Sequence, residues 1–204
     1  MGPRTERLLV RRTLLLFPIR KEPNASFAQE PGRFPGLEAE VEGMTNTQVP
    51  HFTVRGLSPE PFQALFDLSD EELEKRRARR LIADSKPGFP CRVSLQDAEA
   101  GDEVILTNFT HLPSDSPYRS THAIYIRRVA TTAASYSDSL PEMLRSRLLS
   151  VRAFGAKDML VGADVAEGGQ AENVIARFFL DPAVAFLHVH FAKPGCYACR
   201  IDRA

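Results

Sequence analysis

From His51 to Arg203 the chain is a succession of short alternating apolar–polar runs, and this succession limits the possible folds more than any other feature. "HFTVRGL" (51–57), "PCRVSL" (90–95), "EVILTNF" (103–109), "THAIYIRR" (121–128), "LLSVRAF" (148–154) and "MLVGADV" (159–165) each alternate over strand length, between turn-forming residues. A last pair of runs, "FLHVHF" and "CYACRI", flanks Pro194-Gly195 and reads as a hairpin. Helical spacing occurs only between groups of strands. It marks "SPEPFQALFDL" (58–68), "SDEELEKRRARRLIAD" (69–84), "LPEMLRSR" (140–147) and "AENVIARFFLD" (171–181). Ser69 and Glu72 form a capping box at the start of the second, and its basic cluster reads as a solvated helix face. Parallel strands need long crossovers, usually helices, and no β-α-β-α alternation is present. The expected fold is α+β: a mainly antiparallel sheet with several short helices, in one domain over residues 44–204.

The first 43 residues mix Pro, Gly and charges without a sustained period. Arg11-Arg12 resembles a twin-arginine signal, but Arg20, Lys21 and Glu22 follow the short apolar run where a signal peptide is neutral. A disordered or non-native extension is the better reading, with translation starting at Met44. The 26 basic and 26 acidic side chains of the 204-residue chain balance, so no global field draws it to nucleic acid or a membrane. Three cysteines are too few for a disulfide framework and suit a reducing compartment, so a soluble cytoplasmic protein is expected.

Three constellations carry chemistry. His188 and His190, two apart on a strand, share one face while Leu187, Val189 and Phe191 take the other. Such a pair can give two ligands to a divalent metal, and the remaining ligands would come from His111, His122, Asp97, Cys196 or Cys199. The competing reading is a hydrogen-bonded pair on a half-solvated face, or a pair used in acid–base chemistry, for which His122 is a third candidate. The C-x-x-C of Cys196 and Cys199 is the weaker half of this motif, because residues three apart in a regular strand point to opposite faces. A two-residue Pro194-Gly195 turn sets His190 opposite Cys199, and a three-residue loop sets Ala192 opposite Cys196; the sequence allows both. The third constellation is basic and polar: Arg92 and Ser94 on one strand, Arg152 on another, Tyr118 and Arg119 in a loop. Arginine forks of this kind hold carboxylate or phosphate, and surface ion pairing is the competing account. Gly168-Gly169, ahead of a helix, is either a turn or an anion site. No phosphate loop, nucleophile elbow, zinc-protease helix or dinucleotide fingerprint is present.

The stretches "PGFPCRVSLQDAEAGDEVIL" (87–106), "LPSDSPYRSTHAIYIRR" (112–128), "LPEMLRSRLLSVRAF" (140–154) and "HVHFAKPGCYACRIDR" (188–203) resemble the bacterial family known as domain of unknown function 1203. The resemblance starts near Thr53, in keeping with a domain that begins after Met44, and it implies no particular activity. The residues themselves point to a small anionic ligand held by a His/Arg pocket on the sheet face, in a binding protein or an enzyme. The alternatives are a non-catalytic protein-interaction module and a structural metal site built from His188, His190 and cysteine.

Overall fold

The computed structural model describes residues 50–204, and most of the alternating runs become strands. The expected extension over 1–43 and the first residues after Met44 lie outside the described residues. β1 (Phe52–Arg55) is followed by α1 (Glu60–Gln63), which continues into a 3-10 turn over Ala64–Asp67, and by α2 (Asp70–Lys75). Next come β2 (Ala78–Ile82), β3 (Glu103–Leu112), β4 (Ser120–Arg127), β5 (Ser135–Ser137) and α3 (Glu142–Arg145). β6 (Leu148–Phe154), β7 (Leu160–Glu167), α4 (Ala171–Leu180), β8 (Phe186–Phe191) and β9 (Tyr197–Arg203) complete the order. The strands make two antiparallel sheets, a larger one in the order β5-β1-β9-β8-β6-β7 and a smaller one in the order β2-β3-β4. This is the expected α+β architecture, and the described residues fall in one compact unit.

Two segments depart from the local pattern. The helix expected over 69–84 has its capping box, with Ser69 and Glu72 bonded reciprocally, yet it stops at Lys75. Arg77 takes a left-handed backbone (φ 57°) and the chain turns into β2, which pairs with β3 from Ala78 to Ile82. Ladder bonds to β3 therefore outweigh the local helical preference of the basic run. Arg80 lies on that strand, ion-paired with Glu103 and donating to the carbonyl of Leu68 at 2.6 Å.

"PCRVSL" is not a strand. Its alternate residues Cys91, Val93 and Leu95 are fully buried, as its pattern suggested, but its backbone bonds go to several elements instead of one ladder. Arg92 donates its N–H to Tyr125 O at 3.0 Å and accepts from Leu57 N–H at 2.7 Å, while Val93 O accepts from Ala134 N–H at 2.9 Å. Leu95 closes the turn with φ 52°. The segment plugs the gap between the two sheets, and Arg92, expected on a solvent face, is only 2% exposed.

One apolar core lies between the larger sheet and α4, where Leu149, Val151, Leu187, Val189 and Ile201 meet Ile175, Phe178 and Phe179. The other packs α1 and α2 on the smaller sheet, through Phe62, Phe66, Leu73, Ile105, Ile124 and Ile126. All six residues of β8 are buried, so a second layer must cover the sheet face turned away from α4. The ends of β3 and β4 supply it.

Candidate functional site

Register places the site before any side chain is considered. On the covered face of the larger sheet, Ser150 lies opposite His190 and Arg152 opposite His188 across β6 and β8. On the other side, Arg200 is opposite His188 and Tyr197 opposite His190, because the β8–β9 pairing shifts by one residue between Val189 and His190. Neither expected hairpin register occurs. The connection has four residues, Ala192 to Gly195, closed by Phe191 N–H donating to Cys196 O at 3.0 Å. The bulge at Ala198 brings Tyr197 to the histidine face and leaves Cys199 opposite Val189, on the core side. From the smaller sheet, a second irregularity between Thr110 and Leu112 frees His111 from the ladder, and β4 contributes His122.

Four imidazoles thus meet between the sheets. His111 Nδ1 is 3.3 Å from His188 Nδ1, and His111 Nε2 is 2.9 Å from His122 Nδ1. The His111 and His190 ring centroids are 5.2 Å apart, and Tyr197 stacks on His111 at 4.6 Å. Phe154 and Phe186 close the far side of His188 at 5.3 and 5.1 Å. One ring nitrogen from each of His111, His188 and His190 falls in a group no wider than 4.8 Å. The three residues are 9%, 1% and 0% exposed, so the histidine face is not the half-solvated surface that the sequence suggested. Only His122 retains partial exposure.

Burial fixes the charge state. Desolvation, reinforced by the crowding of the imidazoles on one another and by Arg152, pushes His111 down to about 4, His190 to about 3 and His188 to about 2. His122 is lowered by desolvation and by Arg152. All are neutral at physiological pH, so each has one N–H and one lone pair. His190 is the clearest case. Its Nδ1–H donates to Gly195 O at 3.1 Å, and its Nε2 lone pair is buried without a partner. In His111, an Nε2–H donated to His122 leaves the Nδ1 lone pair facing His188 Nδ1. No carboxylate belongs to this cluster among the described residues.

Arg152 is the charge beside it. Its Nε lies 3.4 Å from Ser150 Oγ, it has no carboxylate partner among the described residues, and partial burial lowers its pKa. It faces all four imidazoles closely enough to depress their protonation. Arg200, also opposite His188, is balanced by Asp202 at 2.8 Å and lies over the Phe186 ring.

The other candidate residues are scattered. Tyr118 packs edge-on against Phe154 at 6.2 Å, at the margin of the cluster, and the Arg119 side chain is exposed with no hydrogen bond among the described residues. Arg92 does not join Arg152: it lies under Phe191 and donates Nε–H to Tyr197 O at 2.8 Å. Ser94 Oγ is buried without a partner. Asp97 is held by Arg147 through two bonds of 2.9 and 2.7 Å. Cys199 is buried in the core of the larger sheet and Cys196 lines a separate cavity, so neither sulfur stands in the histidine group.

His111 is the member whose place the sequence left least defined. Nothing local distinguishes "NFTHLP" from an ordinary strand end, and the irregularity that releases His111 is visible only once β4 is paired. No curated protein and no solved structure matches the chain. Residues 88–203, which hold all four clustered histidines and Arg152, match the family model described as protein of unknown function (DUF1203), and the chain belongs to that family.

Proposed function

We propose that the protein is a metal-dependent binding protein or enzyme, whose divalent ion sits on His111, His188 and His190 and takes a small anionic ligand beside Arg152. The observation that carries this reading is the orphaned Nε2 of His190. A buried acceptor without a partner costs on the order of 1–3 kcal/mol, and a cation placed among the three rings would use it. The tautomers fit. A ligating histidine characteristically donates its other N–H to a backbone carbonyl or a second polar group, as His190 does to Gly195 and His111 can to His122. The 3.3 Å between the Nδ1 atoms of His111 and His188 is close to the roughly 3.0–3.4 Å separating two nitrogens that are each about 2.1 Å from one ion, and the group, up to 4.8 Å wide, would draw in on binding. Imidazole-only donor sets suit zinc, copper, iron or nickel.

Charge supplies the rest. Three neutral ligands leave the ion's charge intact, and Arg152 adds to it with no carboxylate among the clustered residues to offset either. An anion bridging the open coordination position and the guanidinium would be attracted by both and offset part of their charge. The ion would polarise such a ligand or acidify a bound water, and Arg152 would orient it.

The test is direct. Protein purified without an affinity tag should carry about one equivalent of metal, and the metal-free protein should take up one cobalt(II) ion with visible d–d absorption. His190→Ala should weaken uptake severely, since only two ligands remain. Arg152→Met should retain cobalt but lose the spectral change that acetate or phosphate produces in the parent protein. Absence of stoichiometric uptake of cobalt, zinc, copper, nickel and ferrous iron would overturn the reading.

A further inference from the structure

A cavity of about 730 Å³ lies between the face of β3 and β4 opposite the α1/α2 core, the segment around Arg92, the start of β6, and the loop joining β8 to β9. None of the four clustered histidines lines it. We propose that this cavity binds a small amphiphilic oxyanion, with its carboxylate or phosphate head on Arg92 and its apolar body against Phe191, Tyr125 and Leu106.

Arg92 is the anchor. It is 2% exposed, yet no carboxylate is paired with it among the described residues. Its Nε donates to Tyr197 O at 2.8 Å and its Nη1 to Pro90 O, which leaves Nη2 without a partner among the described residues. The guanidinium lies 5.1 Å from the Phe191 ring centroid, so its plane is fixed by stacking as well as by the two carbonyls. A guanidinium held from one side with a free donor edge is the geometry that receives an oxyanion. Burial pulls Arg92 down to about 10, so it stays charged at neutral pH, and no carboxylate among the described residues pairs with it to offset its desolvation.

The remaining wall chemistry agrees. Lys193 adds a second positive charge, and Arg147, also over Phe191, spends its own on Asp97. Glu167 is the opposing charge on the lining and is exposed, where solvent weakens its repulsion. The volume falls within the range of small-molecule pockets, and its walls are mostly apolar side chains with a few polar groups. Cys196 lines the same cavity and is partly exposed, whereas Cys91 and Cys199 are buried, so Cys196 reports occupancy.

The experiment follows alkylation of Cys196 by iodoacetamide on the full, metal-free chain, so that an anion bound at the metal centre cannot contribute. The probes are 3-phenylpropionate, phenyl phosphate and, as a neutral control, 3-phenylpropanamide. An anion present at ten times its Kd should slow alkylation roughly tenfold, because only the unoccupied fraction reacts. The arm that protects names the head group. The amide should leave the rate unchanged. Arg92→Gln should remove protection, and Ala123→Trp, which fills the cavity from an exposed position on β4 and leaves the Arg92 side chain and its carbonyl bonds in place, should do so in a chain with unchanged melting. Protection by neither anion, equal protection by the amide, or protection that survives in Ala123→Trp would overturn the proposal.

Discussion

Each histidine between the sheets is cheap to bury when neutral and expensive when charged, and this asymmetry can be read out as a pH dependence. The unfolded chain takes up a proton on each imidazole near pH 6.5, whereas native His111, His190 and His188 resist until about 4, 3 and 2. Below pH 6.5 the unfolded state therefore binds more protons than the native one, so stability is complete above that pH and falls as pH drops. Each buried histidine removes about 1.4 kcal/mol per pH unit over its window. Arg152, Arg200 and Tyr197 face these rings and carry no negative charge at these pH values, so none of the three opposes the trend. The urea midpoint of metal-free protein should fall steeply between pH 6.5 and 4, and less steeply in His188→Gln. A midpoint flat over that range would mean that the rings protonate freely in the fold. His122 belongs to the same scale but has another role: it holds His111 by the 2.9 Å bond and is not itself in the three-ring group. His122→Phe should weaken metal affinity by about 10- to 100-fold without abolishing it, and His122→Gln should recover part of the loss by accepting from His111. Complete loss of binding in His122→Phe would make His122 a ligand.

At the level of elements, local alternation and global pairing contribute separately to what could be foreseen. Alternation in "FLHVHF" placed His188 and His190 together and Val189 apart, because strand geometry decides this within five residues. It could not show that β3 and β4 would roof that face, since sheet-on-sheet packing joins residues 77 apart, as between His111 and His188. "PCRVSL" misled for a related reason: buried alternate residues mark an inner face, and an irregular plug buried on every side has one too. Gly168-Gly169 shows how a weak motif resolves. A Cβ on Gly168 would come within 2.0 Å of Leu144 O and 2.6 Å of Arg145 O, so that glycine is explained by the close approach of α3 ahead of α4. Gly169 has nothing within 4 Å of the same position. Gly168→Ala should therefore destabilise by about 2 kcal/mol or more, whereas Gly169→Ala should be neutral within about 0.5 kcal/mol in the same denaturation assay. Equal effects would remove the steric account of the pair.

Over the whole molecule, the two sheets have separate main apolar cores and meet through the histidine cluster and a small apolar contact of Leu112 with Phe154 and Phe186, while the segment between them adds the Arg92 bond to Tyr197 and the Asp97–Arg147 pair. A metal on His111, His188 and His190 would be a cross-link between them, because His111 belongs to the smaller sheet and the other two to the larger. Free energy of binding to the native state adds to global stability, by about 4 kcal/mol at a thousandfold excess over Kd. Its distribution tests the cross-link. If the ion spans both sheets, hydrogen exchange should slow in β3 and β4 as much as in β6 and β8 when metal is added, since opening either sheet releases the ion. In His111→Gln, two ligands from one strand remain, so binding should weaken and any added protection should stay within the larger sheet. Protection confined to β6 and β8 in the parent protein would show that the ion, if bound, is held by one sheet alone, and the three-histidine assignment would fall with it.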